Sequence, residues 1–173
     1  MTRRWKLNGF EAHTAVVSAL LSFELSRLYI CCATRSVGSV VQLKIGPLHD
    51  VIDAEDIPAA KAFCNWEWAV FIDLGDWRLC SAEQEIASSS TSPRKIEIGL
   101  SCLNGRRISD LTLLPDGGLE VALDGGWVFR VSVENNARNE DEGLWTIFRR
   151  KDWALTFGQG LSLEVYDRNN RPS

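Results

Sequence analysis

Imidazoles and thiols are the side chains most readily built into a metal site or a covalent mechanism, and this chain has few of either. Its only histidines are His13 and His49, and its five cysteines are Cys31, Cys32, Cys64, Cys80 and Cys102. No cysteine pair has the spacing of a structural zinc site, and adjacent Cys31 and Cys32 could not easily aim both thiolates at one ion. His49-Asp50 would need distant partners, so it reads as an exposed loop. There is no Gly-x-Ser-x-Gly elbow and no Gly-Lys-Ser/Thr phosphate loop. Gly158-Gln159-Gly160 lacks the third glycine and the following helix of a dinucleotide site. Carboxylates are plentiful, but nothing along the chain pairs them for acid and base work. The expectation is a protein that is not an enzyme, with no metal and no cofactor.

What remains is charge and aromatic surface. Two acidic stretches, Asp50-Val-Ile-Asp53-Ala-Glu55-Asp56 and Glu140-Asp141-Glu142, each come shortly before a Trp-x-x-Phe segment, and Trp66 sits beside the first. Such runs are usually solvated surface. Read functionally, Asp50, Asp53, Glu55, Asp56, Glu140, Asp141 and Glu142 would attract a basic partner, with Trp66 as an aromatic anchor. Arg149-Arg150-Lys151 lies among Trp145, Phe148 and Trp153, a mixture that can bind single-stranded nucleic acid. The corresponding turn earlier in the chain, Ile72-Asp73-Leu74-Gly75, has no basic residue, so a solvated turn beside core aromatics is expected instead. The formal net charge of -4 gives no general attraction to nucleic acid or anionic lipid.

The elements that would carry these residues follow from an internal repeat. Leu7-Asn8-Gly9 recurs as Leu103-Asn104-Gly105, each followed at equal distance by an apolar-Glu-apolar triplet, Phe23-Glu24-Leu25 and Leu119-Glu120-Val121. Trp68 to Phe71 followed by Asp76-Trp77 likewise matches Trp145 to Phe148 followed by Asp152-Trp153. Two pseudo-duplicated antiparallel β modules are therefore expected, over residues 1–86 and 96–167, with a Ser-rich linker at 87–95 and a frayed tail at 168–173. The extra material of the first module would lie within about Val41 to Asn65, and Trp66, which faces Gly143 in the alignment, would belong to that difference.

Period-two alternation marks strands through Ile108, Leu111 and Leu113, then Leu119, Val121 and Leu123, joined by Pro115-Asp116-Gly117-Gly118. Asp124-Gly125-Gly126 leads to a strand from Trp127 to Val133, Glu134 to Glu142 forms a loop, and strands follow at Trp145 to Phe148, Trp153 to Phe157 and Leu161 to Val165. Thr14 to Tyr29 suits either strands with a turn near Ser26-Arg27 or a helix capped by Thr14, and the repeat favours strands. One short helix is expected where Asp56 can cap and Pro58 can open it. The fold class is thus all-β with one short helix, the alternative being α+β with an N-terminal helix.

The start of the chain has no signal-peptide core, and Ala15 to Ala33 is too broken by polar residues to span a bilayer. With an odd set of cysteines in apolar contexts, a cytoplasmic protein with buried reduced thiols is expected.

The series Leu-Asn-Gly-x-x-Ile, the hairpin around Gly118-Leu119-Glu120-Val121 and Asp124-Gly125-Gly126, and Glu142-Gly-Leu-Trp145 resembles the small β-rich immunity proteins encoded beside bacterial polymorphic toxins. The likeness covers Leu103 to Trp145 and, loosely, Trp5 to Leu79. It implies stoichiometric binding that blocks a cognate toxin, with no catalytic residues. The rival reading is a small-ligand binder or enzyme using a cleft between the two modules.

Overall fold

The computed structural model describes residues 3–6, 10–36, 40–47, 66–73, 76–133, 144–150, 152–158 and 160–165, with side chains described over 14–157 of these. Within them the chain is β-rich, as its alternation predicts. Its elements are β1 (Arg3–Lys6), α1 (Phe10–Leu25), β2 (Tyr29–Arg35), β3 (Val41–Gly46), β4 (Trp68–Ile72), β5 (Asp76–Ser81), β6 (Gln84–Ser88) and α2 (Pro93–Ser101). They continue with β7 (Ile108–Leu113), β8 (Leu119–Leu123), a 3-10 turn (Asp124–Gly126), β9 (Trp127–Ser132), β10 (Trp145–Arg149), β11 (Trp153–Gly158) and β12 (Gly160–Val165).

The strands form two antiparallel sheets. The larger has the order β1-β12-β11-β10-β4-β3-β2 and the smaller β6-β5-β9-β8-β7. In the central strands whose side chains are described, alternate apolar residues turn inward. Val41, Leu43 and Ile45 of β3, Trp68, Val70 and Ile72 of β4, and Trp145 and Ile147 of β10 are buried from the larger sheet. Trp77, Leu79, Leu111, Leu119, Val121, Phe129 and Val131 are buried from the smaller, and all belong to one cluster. The hairpin β7–β8, the turn into β9, and β10 to β12 lie where the alternation puts them.

The N-terminal segment is a correction. Thr14 to Leu25 belongs to α1, a sixteen-residue helix, rather than to strands. The adjacent apolar pairs Val16-Val17 and Leu20-Leu21 break a period of two but fit 3.6, with Thr14, Leu21 and Leu25 turned inward and Val17 packed against the core. No glycine announces the end of this helix. Arg27 takes the left-handed conformation there, at φ 83°.

The duplication fails for the same half. Trp68 to Phe71 and Trp145 to Phe148 are not equivalent positions of two modules but adjacent strands of one sheet, with Trp68 opposite Arg149 and Ile72 opposite Trp145. Trp77 lies in the smaller sheet while Trp153 lies in the larger. Each sheet takes strands from both halves of the chain, so residues 86 and 87 separate nothing. The residues read as a linker instead finish β6 and open α2, where Ser92 in extended conformation precedes Pro93 at the first helical turn. Tryptophan and phenylalanine are both enriched in strands, so two strands can share so short a pattern by chance. The helix expected after Asp56 and the loop at Glu134 to Glu142 lie outside the described residues.

The thiols also need correction. Cys31 is disulfide-bonded, whereas Cys32, Cys80 and Cys102 are free and Cys102 is exposed. Sequence spacing does not say which cysteines the fold brings to bonding distance.

The two sheets are locked where the β7–β8 turn meets the larger sheet. The buried indole N–H of Trp145 donates to the carbonyl of Gly117 at 2.8 Å, and Phe157 stacks on Trp145 at 5.8 Å. Gly117 has φ +90°, and a Cβ there would run into the Phe157 ring. Gly105 also has a left-handed φ, +80°, but open space around its missing Cβ. Gly105→Ala should therefore cost about 1–2 kcal/mol of backbone strain, and Gly117→Ala a further 1–3 kcal/mol, roughly, of overpacking. Urea unfolding of both variants checks this ordering.

Candidate partner-binding surfaces

Of the residues expected to bind a partner, Asp50, Asp53, Glu55, Asp56, Glu140, Asp141 and Glu142 lie outside the described residues. The strands that follow them are described. Because β4 and β10 run antiparallel, the chain enters β4 at Trp68 and β10 at Trp145, at opposite ends of the paired strands. Four residue steps separate those ends, roughly 14 Å. β4 and β10 are thus adjacent strands of one sheet rather than matching strands of two copies, so the repeat gives no reason for the segments that precede them to correspond.

Trp66 is half-buried, and among the described residues its ring is met by one aromatic ring and two cations. Its ring meets Phe148 edge-on at 5.8 Å, with the Arg150 guanidinium at 5.1 Å and Lys44 Nζ at 5.9 Å. Phe148 in turn stacks on Phe71 at 5.0 Å. Lys44, Ala69 and Phe148 stand side by side in the register of β3, β4 and β10, alternating with the inward residues. This aromatic row is thus on the sheet face turned away from Trp68 and Ile147.

The basic turn is more than a solvated loop. Arg149 lies over the Trp68 ring at 5.5 Å and pairs with Asp152 at 3.5 Å, while the Arg150 N–H donates to the Glu67 carbonyl at 2.7 Å. Each cation–π contact at such a partly exposed position is worth about 0.5–1 kcal/mol. These arginines hold the β10–β11 turn against the start of β4.

A second surface, absent from the sequence reading, is built by α1. While Leu21 and Leu25 are buried, Val16, Leu20 and Phe23 on the other side are 68%, 55% and 79% exposed. Ala15 and Ala19 are exposed as well. A helix apolar on both faces, with one left in solvent, is the pattern of a surface that docks something. The signal was present as Val16, Leu20 and Phe23 at helical spacing, but it has meaning only once the segment is read as a helix.

Beneath this face, a groove of about 440 Å³ runs between α1 and β7, bordered by Ser18, Ala19, Ser22, Phe23, Asp110 and Thr112. β7 is an edge strand, and the helix closes part of its edge: the Leu113 N–H donates to Ser18 Oγ at 2.8 Å. A bulge between Ile108 and Asp110 leaves both Ser109 and Asp110 facing outward. Bulges re-aim side chains in this way. The Asp110 carboxylate accepts from the Ser22 hydroxyl, from the Leu111 N–H at 2.8 Å, and from the Thr112 hydroxyl at 3.3 Å. Among the described residues, no group of three or more His, Cys, Asp or Glu is placed to hold a metal ion. No described helix is long and apolar enough to cross a membrane.

The Ser18 hydroxyl supplies the acceptor for an edge N–H that no strand pairs. Ser18→Ala should cost about 1–2 kcal/mol and speed hydrogen exchange at the Leu113 amide, measured by NMR. Ser22→Ala, which leaves Asp110 two other donors, should cost less.

Comparison with family models, with curated protein sequences and with solved structures finds no match to this chain.

Proposed function

We propose that this chain acts stoichiometrically, by binding another protein, and that the outward face of α1 is its principal contact. The observation that carries this reading is the exposure of Val16, Leu20 and Phe23 on a helix whose opposite face is fixed in the core. Burying three large apolar side chains from water stabilises an association, at about 25 cal/mol per Å² before the costs of ordering are subtracted. Trp66 and Phe148, flanked by Lys44 and Arg150, form a second aromatic surface, which would suit an acidic patch rather than the basic one expected of its partner.

The finer reading is an immunity protein that blocks a cognate bacterial toxin, which rests on the resemblance over Leu103 to Trp145. In the structure part of that motif has a framework role. Leu103 is buried, the Asn104 side chain accepts from the Ala33 N–H at 2.8 Å, and the Gly105 N–H donates to the Ile30 carbonyl at 2.8 Å. A shared motif of this kind speaks for a common scaffold, and the partner is then chosen by exposed side chains. The two modules that the rival ligand-binding reading presumed are not separate units, since each sheet takes strands from both halves of the chain.

If the reading holds, a large open reading frame adjoins the gene, and the test is co-expression of its product with the chain. On this reading that product alone arrests growth, co-expression of the chain restores it, and Leu20→Asp or Phe23→Asp, each at an exposed site, abolishes rescue while the protein stays folded. Rescue unaffected by both variants would move the binding surface elsewhere, and absence of toxicity would remove the immunity reading.

Where the toxin is met is open to a separate measurement. Disulfides persist in oxidising compartments and are rare in a reducing cytosol. Alkylation and mass analysis of the chain isolated from cells should find Cys31 blocked if it acts in an oxidising compartment and alkylated if it acts in the cytoplasm.

A further inference from the structure

We infer that the groove between α1 and β7 receives a protein segment bearing apolar side chains and one lysine or arginine, the cation meeting Asp110 while the apolar groups cover Leu20 and Phe23. This rests on the protein-binding reading of α1 and specifies the chemistry of its partner.

The argument is one of charge complementarity. From Phe10 to Leu25 the helix has no lysine or arginine, and its exposed stripe ends at the exposed acidic Glu24. On the other bank of the groove stands Asp110, put there by the bulge in β7. A carboxylate has about four acceptor positions. At Oδ1 two donors are already present, Leu111 N–H and Ser22 hydroxyl, whereas Oδ2 has only the long bond from Thr112. None of the ion pairs among the described residues involves Asp110. Ser22 and the bulge thus hold an ionisable oxygen, without a cation, at the edge of an exposed apolar stripe. That combination favours a donor that brings charge and apolar surface together.

Other occupants fit less well. An interfacial membrane helix places lysines and arginines around its apolar face to meet anionic headgroups, and α1 has none. A phosphate backbone would be repelled by Asp110 and Glu24. A second copy docked helix to helix would bring another α1, also without a cation, and a second Asp110. A basic amphipathic segment satisfies both halves of the surface. Pairing the cation would chiefly affect specificity and encounter, with the apolar contact slowing release.

The experiment titrates an amphipathic helical peptide of leucine and lysine into the ¹⁵N-labelled full chain, with a counterpart in which every lysine is glutamate. The leucine–lysine peptide should shift amides of Ser18, Ser22 and Asp110 to Leu113, and the glutamate peptide should bind at least tenfold more weakly. Asp110→Asn, which keeps the shape of the side chain, should weaken the lysine peptide about tenfold. Thr112→Lys, which sets a cation of the chain's own in the groove, should do the same, and Phe23→Asp should abolish binding. Retained amide fingerprints establish that each variant is folded. Equal binding by the two peptides, shifts mapping away from α1 and β7, or an unchanged affinity in Asp110→Asn would overturn the inference. If Phe23→Asp alone matters, the docking role of α1 stands and the cation requirement falls; if neither substitution matters, both fall. Concentration-dependent dimerisation abolished by Phe23→Asp, seen by sedimentation, would assign the face to a second copy and equally overturn it.

Discussion

The indole of Trp145 is fully buried near the middle of the larger sheet, and an indole N–H in that position needs an acceptor. The acceptor is the carbonyl of Gly117, in the tight turn between β7 and β8 of the other sheet. This contact ties the β7–β8 turn of the smaller sheet to the larger sheet. It also explains the residues around it. Only a residue without a side chain can come so close to the Phe157 ring, and Gly118 behind it lies with its missing Cβ against the Val131 carbonyl. A Pro-Asp-Gly-Gly turn that looks from sequence like a generic hairpin connection is therefore a point of attachment between sheets.

A second constraint is the closing of edges. β2 ends the larger sheet and β7 ends the smaller, and unpaired backbone groups at such edges invite unwanted strand addition. Here the two edges meet. Ile30 and Arg106, Gly105 and Ile30, and Ile108 and Leu28 exchange backbone hydrogen bonds of 2.8–2.9 Å, and Tyr29 bridges Arg107. Asn104 extends the seam by one side-chain bond to Ala33. Further along β7, where no strand is available, α1 takes over with Ser18. The helix therefore has two duties that compete for its surface: its inner face fills the core and its serines close an edge.

That division leaves the outer face without a structural task, and it is there that the large apolar side chains are exposed. Helices that only cover a sheet are polar on the outside. Val16, Leu20 and Phe23 contribute nothing to the buried cluster, and association is the role proposed for them. The outer face of the larger sheet differs in kind. Its Trp66, Phe148 and Phe71 pack on one another, and Arg150 and Lys44 cover the outermost ring, which already gives these residues a stabilising role within the chain.

The C-terminal strands were legible because their apolar residues largely alternate and several are separated by Gly-rich turns. Backbone pleating turns that period directly into a buried and an exposed face. Trp68, Trp77 and Trp145 are buried as expected, although that expectation rested on a repeat the fold does not contain; their burial follows from their places on inward strand faces. The α1 segment was not, since a helix apolar on two sides has no single stripe, and its end at Arg27 lacks the glycine that would mark it. Nor could spacing reveal that Trp68 to Phe71 and Trp145 to Phe148 are neighbours rather than copies. The candidate site was the least visible part. Asp110 is an unremarkable acid in a strand until a bulge turns it outward and Ser22, nearly ninety residues earlier, donates to it. Local periodicity determines which residues turn inward, because it is a property of backbone geometry within one element. Which outward residues share a groove depends on long-range pairing of edges and sheets, and no pattern within a single element encodes that.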